Sequence, residues 1–221
     1  MINLQKRILT AIAIFPLSIF FIFKGGYILL SFLLAIFFMA NYELFSVFKK
    51  NSNILFLDLV LILALFSIYY LAENSFWSLL WVIILVICSD VGGYAFGKIF
   101  KWKKLTNISP KKTVSGVLGS FIFSLLSVFI IQLVIEILYP LQFKYNFLAP
   151  EFFFLAIVLS LVSQAGDLTI SYFKRLEKIK DTGKILPGHG GIFDRIDGLM
   201  FVVILAFLLY YFYNCFFCLL V

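Results

Sequence analysis

Seven stretches of predominantly apolar residues, separated by short polar breaks, constrain this chain more than anything else in it. They run Ile8–Phe23, Tyr27–Phe48, Ile54–Ala72, Phe76–Phe96, Val114–Tyr139, Phe152–Ile170 and Leu199–Leu220. A helix of about 20 apolar residues crosses the roughly 30 Å of bilayer hydrocarbon. Lipid offers no partner to an unpaired backbone group, so each stretch is expected to be α-helical. Composition agrees. Hydrophobic residues make up 63% and charged ones 13%, against about 45–50% and about 25% in soluble domains. The expected fold is all-α, a polytopic integral membrane protein with about seven transmembrane helices. No small-residue cleavage site follows the first stretch, which is read as a retained helix. Lys24-Gly25-Gly26, Asn51-Ser52-Asn53 and Glu73-Asn74-Ser75 are the turn signals between the early spans.

Alternating spans allow the charge asymmetry to be tested. With the N-terminus on the cytoplasmic side of the cell (inner) membrane, only Lys24 and Lys144 of the 18 Lys and Arg residues fall outside. That bias sets the orientation. The net charge of +7 is then chiefly a topology signal with some attraction to anionic headgroups, and gives no reason to expect nucleic acid as a partner. Cys88, Cys215 and Cys218 lie in apolar runs and read as packed or lipid-facing thiols.

Against this background the segment Asp167–Asp197 is a polar island. It holds Asp167, Lys174, Arg175, Glu177, Lys178, Lys180, Asp181, Lys184, Asp194, Arg195 and Asp197. Ionisable groups at helix ends near one membrane face are costly without partners, and mark a site. Asp90 is expected to end the fourth span, Asp167 the sixth, and Asp194 and Asp197 to open the seventh. Carboxylates at i and i+3 share a helix face, and with Asp167 they form a set that a hard divalent cation would neutralise; Mg²⁺ takes a few carboxylates plus phosphate oxygens. The plainer alternative has Asp194 capping the helix and Asp197 paired to a neighbouring Lys or Arg. Lys174 and Arg175 beside these acids suit phosphoryl oxygens, or are topology charges. Gly190 and Gly191, after Pro187-Gly188-His189, let backbone amides approach an anion, and His189 is a candidate phosphate donor or proton carrier. Ser109-Pro110-Lys111-Lys112-Thr113 repeats the chemistry, or is an ordinary positive-inside loop. No GxxxxGK[ST] loop occurs. A transporter or channel, with the acids forming a cation path, is the rival reading, and another membrane enzyme acting on a different lipid a third.

The segment resembles the signature of the phosphatidate cytidylyltransferases (CDP-diacylglycerol synthases). Ser171, Phe173, Lys174, Arg175, Lys180, Asp181, Gly183, Leu186, Pro187, His189, Gly190, Gly191, Ile192, Asp194, Arg195, Ile196 and Asp197 fit that pattern. Ser89–Lys98, Ser109–Thr113 and Gln164–Asp167 are also similar to family segments. Ser115 stands where the family usually has Glu or Gln, and Lys101-Trp102 where it often has Gly-Lys. The resemblance implies a membrane nucleotidyltransferase making CDP-diacylglycerol and pyrophosphate from CTP and phosphatidate, with a cytoplasmic-face active site. It implies Mg²⁺ on Asp167, Asp194 and Asp197, and leaves open a second, monovalent cation and a homodimer. Lys174 joins those acids as catalytic. Asp90, Ser109, Lys111, Lys112, Thr113, Ser171, Arg175, His189, Gly190, Gly191 and Arg195 are the expected substrate contacts. On this reading residues 1–75 are N-terminal transmembrane helices, and 76–221 are a catalytic region carrying the signature at 171–197.

Overall fold

Apolar runs in this chain satisfy their backbone groups internally, and the result is a bundle of long helices. The structure, a computed structural model, describes residues 16–106, 108–110, 112–138, 147–183, 185 and 190–218, with side chains up to 212. Residues 16–24 are helical (α1). There follow α2 (Gly26–Val47), α3 (Asn51–Asn74), α4 (Phe76–Phe100), α5 (Val114–Leu138), α6 (Pro150–Leu176) and α7 (Phe193–Cys218). Helices α2 to α7 are each long and apolar enough to cross a membrane. Half of the first expected span, 8–15, lies outside the described residues, as do the side chains of Cys215 and Cys218. The protein is a polytopic, all-helical membrane protein.

The boundaries have local causes. Gly25 and Gly26 take φ of 61° and 53°, a region that favours glycine, and turn α1 into α2. Glu73 at the far end of α3 accepts the Gly26 amide at 2.5 Å, so two of the expected turns meet. Helix α6 starts with Pro150 in its first turn, where the missing N–H costs nothing. It ends with Ile179 N–H donating to Lys174 O and Lys178 N–H to Arg175 O, the Schellman arrangement. Lys178, at φ 58°, holds the left-handed position usually given to glycine.

Helix α4 packs most extensively on α5. A Cβ on Gly92 would run into the Gly119 carbonyl and the Phe123 side chain, and one on Gly119 into the Gly92 carbonyl and Phe96. Small residues let membrane helices approach this closely. Helix α7 packs on α6 and α3, around a core including Leu57, Leu61, Leu85, Ile131, Phe193 and Val203. Outward faces carry Leu55, Phe38 and Ile137, each about two-thirds exposed or more (72%, 67% and 69%), as a lipid-facing surface requires.

Two helices run past their expected limits, and the seventh opens with its acids as expected. Helix α4 continues to Phe100, so Asp90 sits inside the helix and not at its end. Helix α6 continues to Leu176, and α7 starts at Phe193. Most of the polar island's site residues therefore stand on helix turns. Between α6 and α7, the described residues of the stretch 177–192 are non-helical.

Candidate functional site

The C-terminal ends of α4 and α6, the N-terminal ends of α5 and α7, and the loop 101–113 converge on one cavity of about 360 Å³. Asp90, Asp167, Asp194, Asp197, Lys112, Ser109 and Thr113 line it, with Tyr94, Gln164 and Ser120. The loop is held in shape by its own backbone. Lys104 and Thr113 form a bridge, Leu105 N–H donates to Lys112 O at 2.8 Å, and Val114 N–H to Lys103 O at 3.0 Å. Thr113 caps α5 by accepting the Gly116 amide at 3.1 Å. Its hydroxyl also lies 3.0 Å from Ser115 Oγ. Ser115 thus serves as an anchor where the family pattern has a longer side chain.

Two lysines partner the carboxylates. Lys112 Nζ lies 2.6 Å from Asp167 Oδ2 and donates to the Gln164 carbonyl at 3.2 Å. Ser171 Oγ donates to the other Asp167 oxygen at 3.4 Å. Lys174 is buried, 7% exposed, with Nζ 2.9 Å from Asp194 Oδ1 and 3.9 Å from Asp197 Oδ2. A buried ammonium is tolerated only with such partners.

The start of α7 accounts for its unpaired amides. The first N–H groups of a helix have no partner within it. Those of Ile192 and Phe193 donate to Glu43 of α2, at 3.0 Å and 3.1 Å. That of Gly191 donates to Asp194 Oδ2 at 3.1 Å, as does that of Thr182 at 2.8 Å. Asp194 thus accepts from two backbone amides and from Lys174. It acts as the capping carboxylate of the plainer sequence alternative, and Asp197 is the one beside a lysine.

The three acids expected to share one cation face the same cavity. Among the described residues, however, no three His, Cys, Asp or Glu side chains form a ready ligand group. The physical reason is the pairing just given: Lys112 sits on Asp167, and Lys174 stands by Asp194 and Asp197. Asp90 and Asp197 line the cavity beside Asp167, and Asp197 has its lysine only at 3.9 Å.

The remaining expected residues divide. Arg175 donates to the carbonyls of Ile179 at 2.6 Å and Ile108 at 3.4 Å, tying the two polar loops together away from the cavity lining. Arg195 is exposed at the start of α7. Gly190, at φ 90°, packs against Asp194. Lys111 and His189 lie outside the described residues. Sequence reasoning passed over Glu43 and Thr182, both fully buried (1% and 0% exposed). A lone Glu in an apolar run was the available signal for the first.

Residues 52–213 match the model of the cytidylyltransferase family. The chain is similar to proteins named phosphatidate cytidylyltransferase from Staphylococcus saprophyticus, at 39% identity over 126 residues, and from Staphylococcus haemolyticus and Staphylococcus aureus, each at 40% over 126 residues. Each alignment takes in 57% of this chain and 45% of the relative. The chain thus spans about half the length of the relatives it matches.

Proposed function

Since the chain belongs to the cytidylyltransferase family, we propose that it transfers the cytidylyl group of CTP to phosphatidate at the membrane surface. An oxygen of the lipid phosphate attacks the α-phosphorus of CTP. The bond from that phosphorus to the β-phosphate oxygen breaks, and pyrophosphate leaves with the electron pair. The lipid phosphate is already anionic, so the reaction needs no strong base. Its demand is to hold several negative charges together in line, a matter of positioning and charge neutralisation.

The observation that carries the reading is the cavity where Lys112 and four carboxylates meet at the polar ends of the membrane helices. Its volume of about 360 Å³ falls in the range of small-molecule sites, roughly 300–1,000 Å³. Lys112, on a loop braced by backbone bonds, is placed to contact the triphosphate. Lys174, held between Asp194 and Asp197, fixes the geometry of the α7 turn. Mg²⁺ keeps several waters and uses one or two carboxylates plus substrate phosphates, a requirement that Asp167 and Asp197, with Asp90 beside them, fit. When bound, it would neutralise charge on the phosphate oxygens. Carboxylates gathered in one pocket beside lysines, together with a family match over most of the chain, favour a transferase over a cation conduit.

Purified protein incubated with radiolabelled CTP should form a lipid-soluble labelled product only when phosphatidate and Mg²⁺ are present. No product under those conditions refutes the reaction. Lys112→Ala should raise the KM for CTP about ten- to a hundredfold, from the loss of a charged contact of about 1.5–3 kcal/mol. The KM for phosphatidate should move less. An unchanged CTP dependence would return the loop to a topology role.

A further inference from the structure

We propose that Glu43, on the second helix and upstream of the segment matching the family, is a positioning residue that latches the polar loop and the first turn of α7 in place beside the cavity. The side chain is 1% exposed, and every polar contact recorded for its carboxylate is with the far end of the chain. One oxygen accepts from Ile192 N–H at 3.0 Å. The other accepts from Phe193 N–H at 3.1 Å and lies 3.4 Å from the Thr182 hydroxyl. A carboxylate suits that position, because the unpaired amides of a helix N-terminus carry partial positive charge. Six residues further on, just past the end of α2, the Lys49 amide donates to Glu177 at 3.4 Å. The end of α2 therefore holds the 177–192 loop at both its beginning and its end.

Two glycines of the signature record the same contact. A Cβ on Gly183 would first meet the Glu43 side chain, and one on Gly191 Thr182 and Glu43. Neither glycine has a positive φ, so space taken by Glu43, and not backbone conformation, excludes a side chain there. Asp194 and Asp197 follow Phe193 within the same turns of α7. The Thr182 and Gly191 amides that Asp194 accepts flank the Glu43 contacts. Loosening Glu43 thus shifts the carboxylates and Lys174 without touching any cavity-lining residue.

The kinetic part of the test rests on the transferase reading, so a second readout is independent of it. Protein carrying Ile192→Cys, a buried position whose backbone N–H still reaches Glu43, with the three native cysteines replaced, is labelled in detergent with a maleimide. Turnover is measured per folded molecule. Glu43→Gln presents an amide N–H₂ to one pair of donors. It should lower kcat about ten- to a hundredfold, with the KM for CTP changed much less, as misplacement of catalytic groups does. Labelling at position 192 should accelerate by about the same order, because a buried thiol reacts only when the turn opens. Gly183→Ala and Glu43→Asp should each lower kcat, yet the double variant should be no worse than the poorer single, because the shorter acid vacates the space the methyl needs. Unchanged kcat and labelling in Glu43→Gln would overturn the proposal. So would losses that multiply in the double variant, or a fall in melting temperature with full turnover per folded molecule. If the wild type makes no cytidylyl lipid, the reaction reading fails, and the labelling rate alone decides Glu43.

Discussion

Asp194 and Asp197 stand one helical turn apart, yet their surroundings give them different work. Asp194 is committed to Lys174 and to the amides of Thr182 and Gly191. Asp197 accepts the Gly198 amide at 2.9 Å and otherwise faces the cavity, with Lys174 only at 3.9 Å. Asparagine at 194 must turn its N–H₂ toward either the lysine or the two amides. Disturbing a buried charge pair in this way costs on the order of 3 kcal/mol. Asp194→Asn is therefore expected to lower the melting temperature in detergent and to lose activity that added Mg²⁺ does not restore. Asp197→Asn keeps its acceptor for Gly198 and should unfold within about 1 kcal/mol of wild type, a change typical of sites away from buried networks. Its transferase activity should fall by orders of magnitude, with partial recovery at high Mg²⁺. Full activity in Asp197→Asn would remove it from the site, and equal stability of the two variants would remove the distinction.

Helix pairing decides where these groups meet. The close approach of α4 and α5 at Gly92 and Gly119 brings Asp90, inside α4, opposite the loop that carries Lys112 and Thr113. Gly92→Val would drive two methyl groups into the α5 backbone. Overpacking of this kind costs about 3 kcal/mol or more when backbone blocks the way. The variant should melt well below wild type. Val91→Ala, at a half-exposed neighbouring position, should not. Equal melting of the two would show that the glycine contact does not hold the helices. Beside that pairing, Ser89 of α4 shares a buried hydrogen bond of 2.8 Å with Ser160 of α6, and its carbonyl accepts from Ser120 of α5. These small polar residues seal the interface beneath the cavity.

Across the whole molecule, the ends of α2, α4 and α6 and the starts of α3, α5 and α7 lie together, joined by Glu43 with Ile192, Lys49 with Glu177, and Arg175 with Ile108. This polar end carries the cavity and most of the basic residues. The opposite end has the Gly25-Gly26 turn held by Glu73. The rule of positive charge inside predicts a cytoplasmic polar end. With native cysteines removed, Lys24→Cys should react with an impermeant thiol reagent on intact cells, whereas Ser52→Cys and Lys180→Cys should react only after permeabilisation. The reverse pattern would invert the orientation.

The spans, their helical nature, the Lys24-Gly25-Gly26 turn and the family signature were all legible along the chain, because lipid permits only closed backbone hydrogen bonding and because the signature is contiguous. Asp167, Asp194, Asp197 and Lys112 were legible as a charged set out of place in an apolar sequence. Their division of labour was not. It depends on which oxygen faces which amide, and Lys174 and the Thr182 and Gly191 amides reach Asp194 only through the fold of the 177–192 loop. The limits of α4 and α6 were misjudged because polar residues on one face of a helix interrupt hydropathy without interrupting the helix. Glu43 was invisible for a different reason. Its partners lie about 150 residues away, and only the packing of α2 beside the start of α7 turns an isolated acid in an apolar run into the cap of another helix.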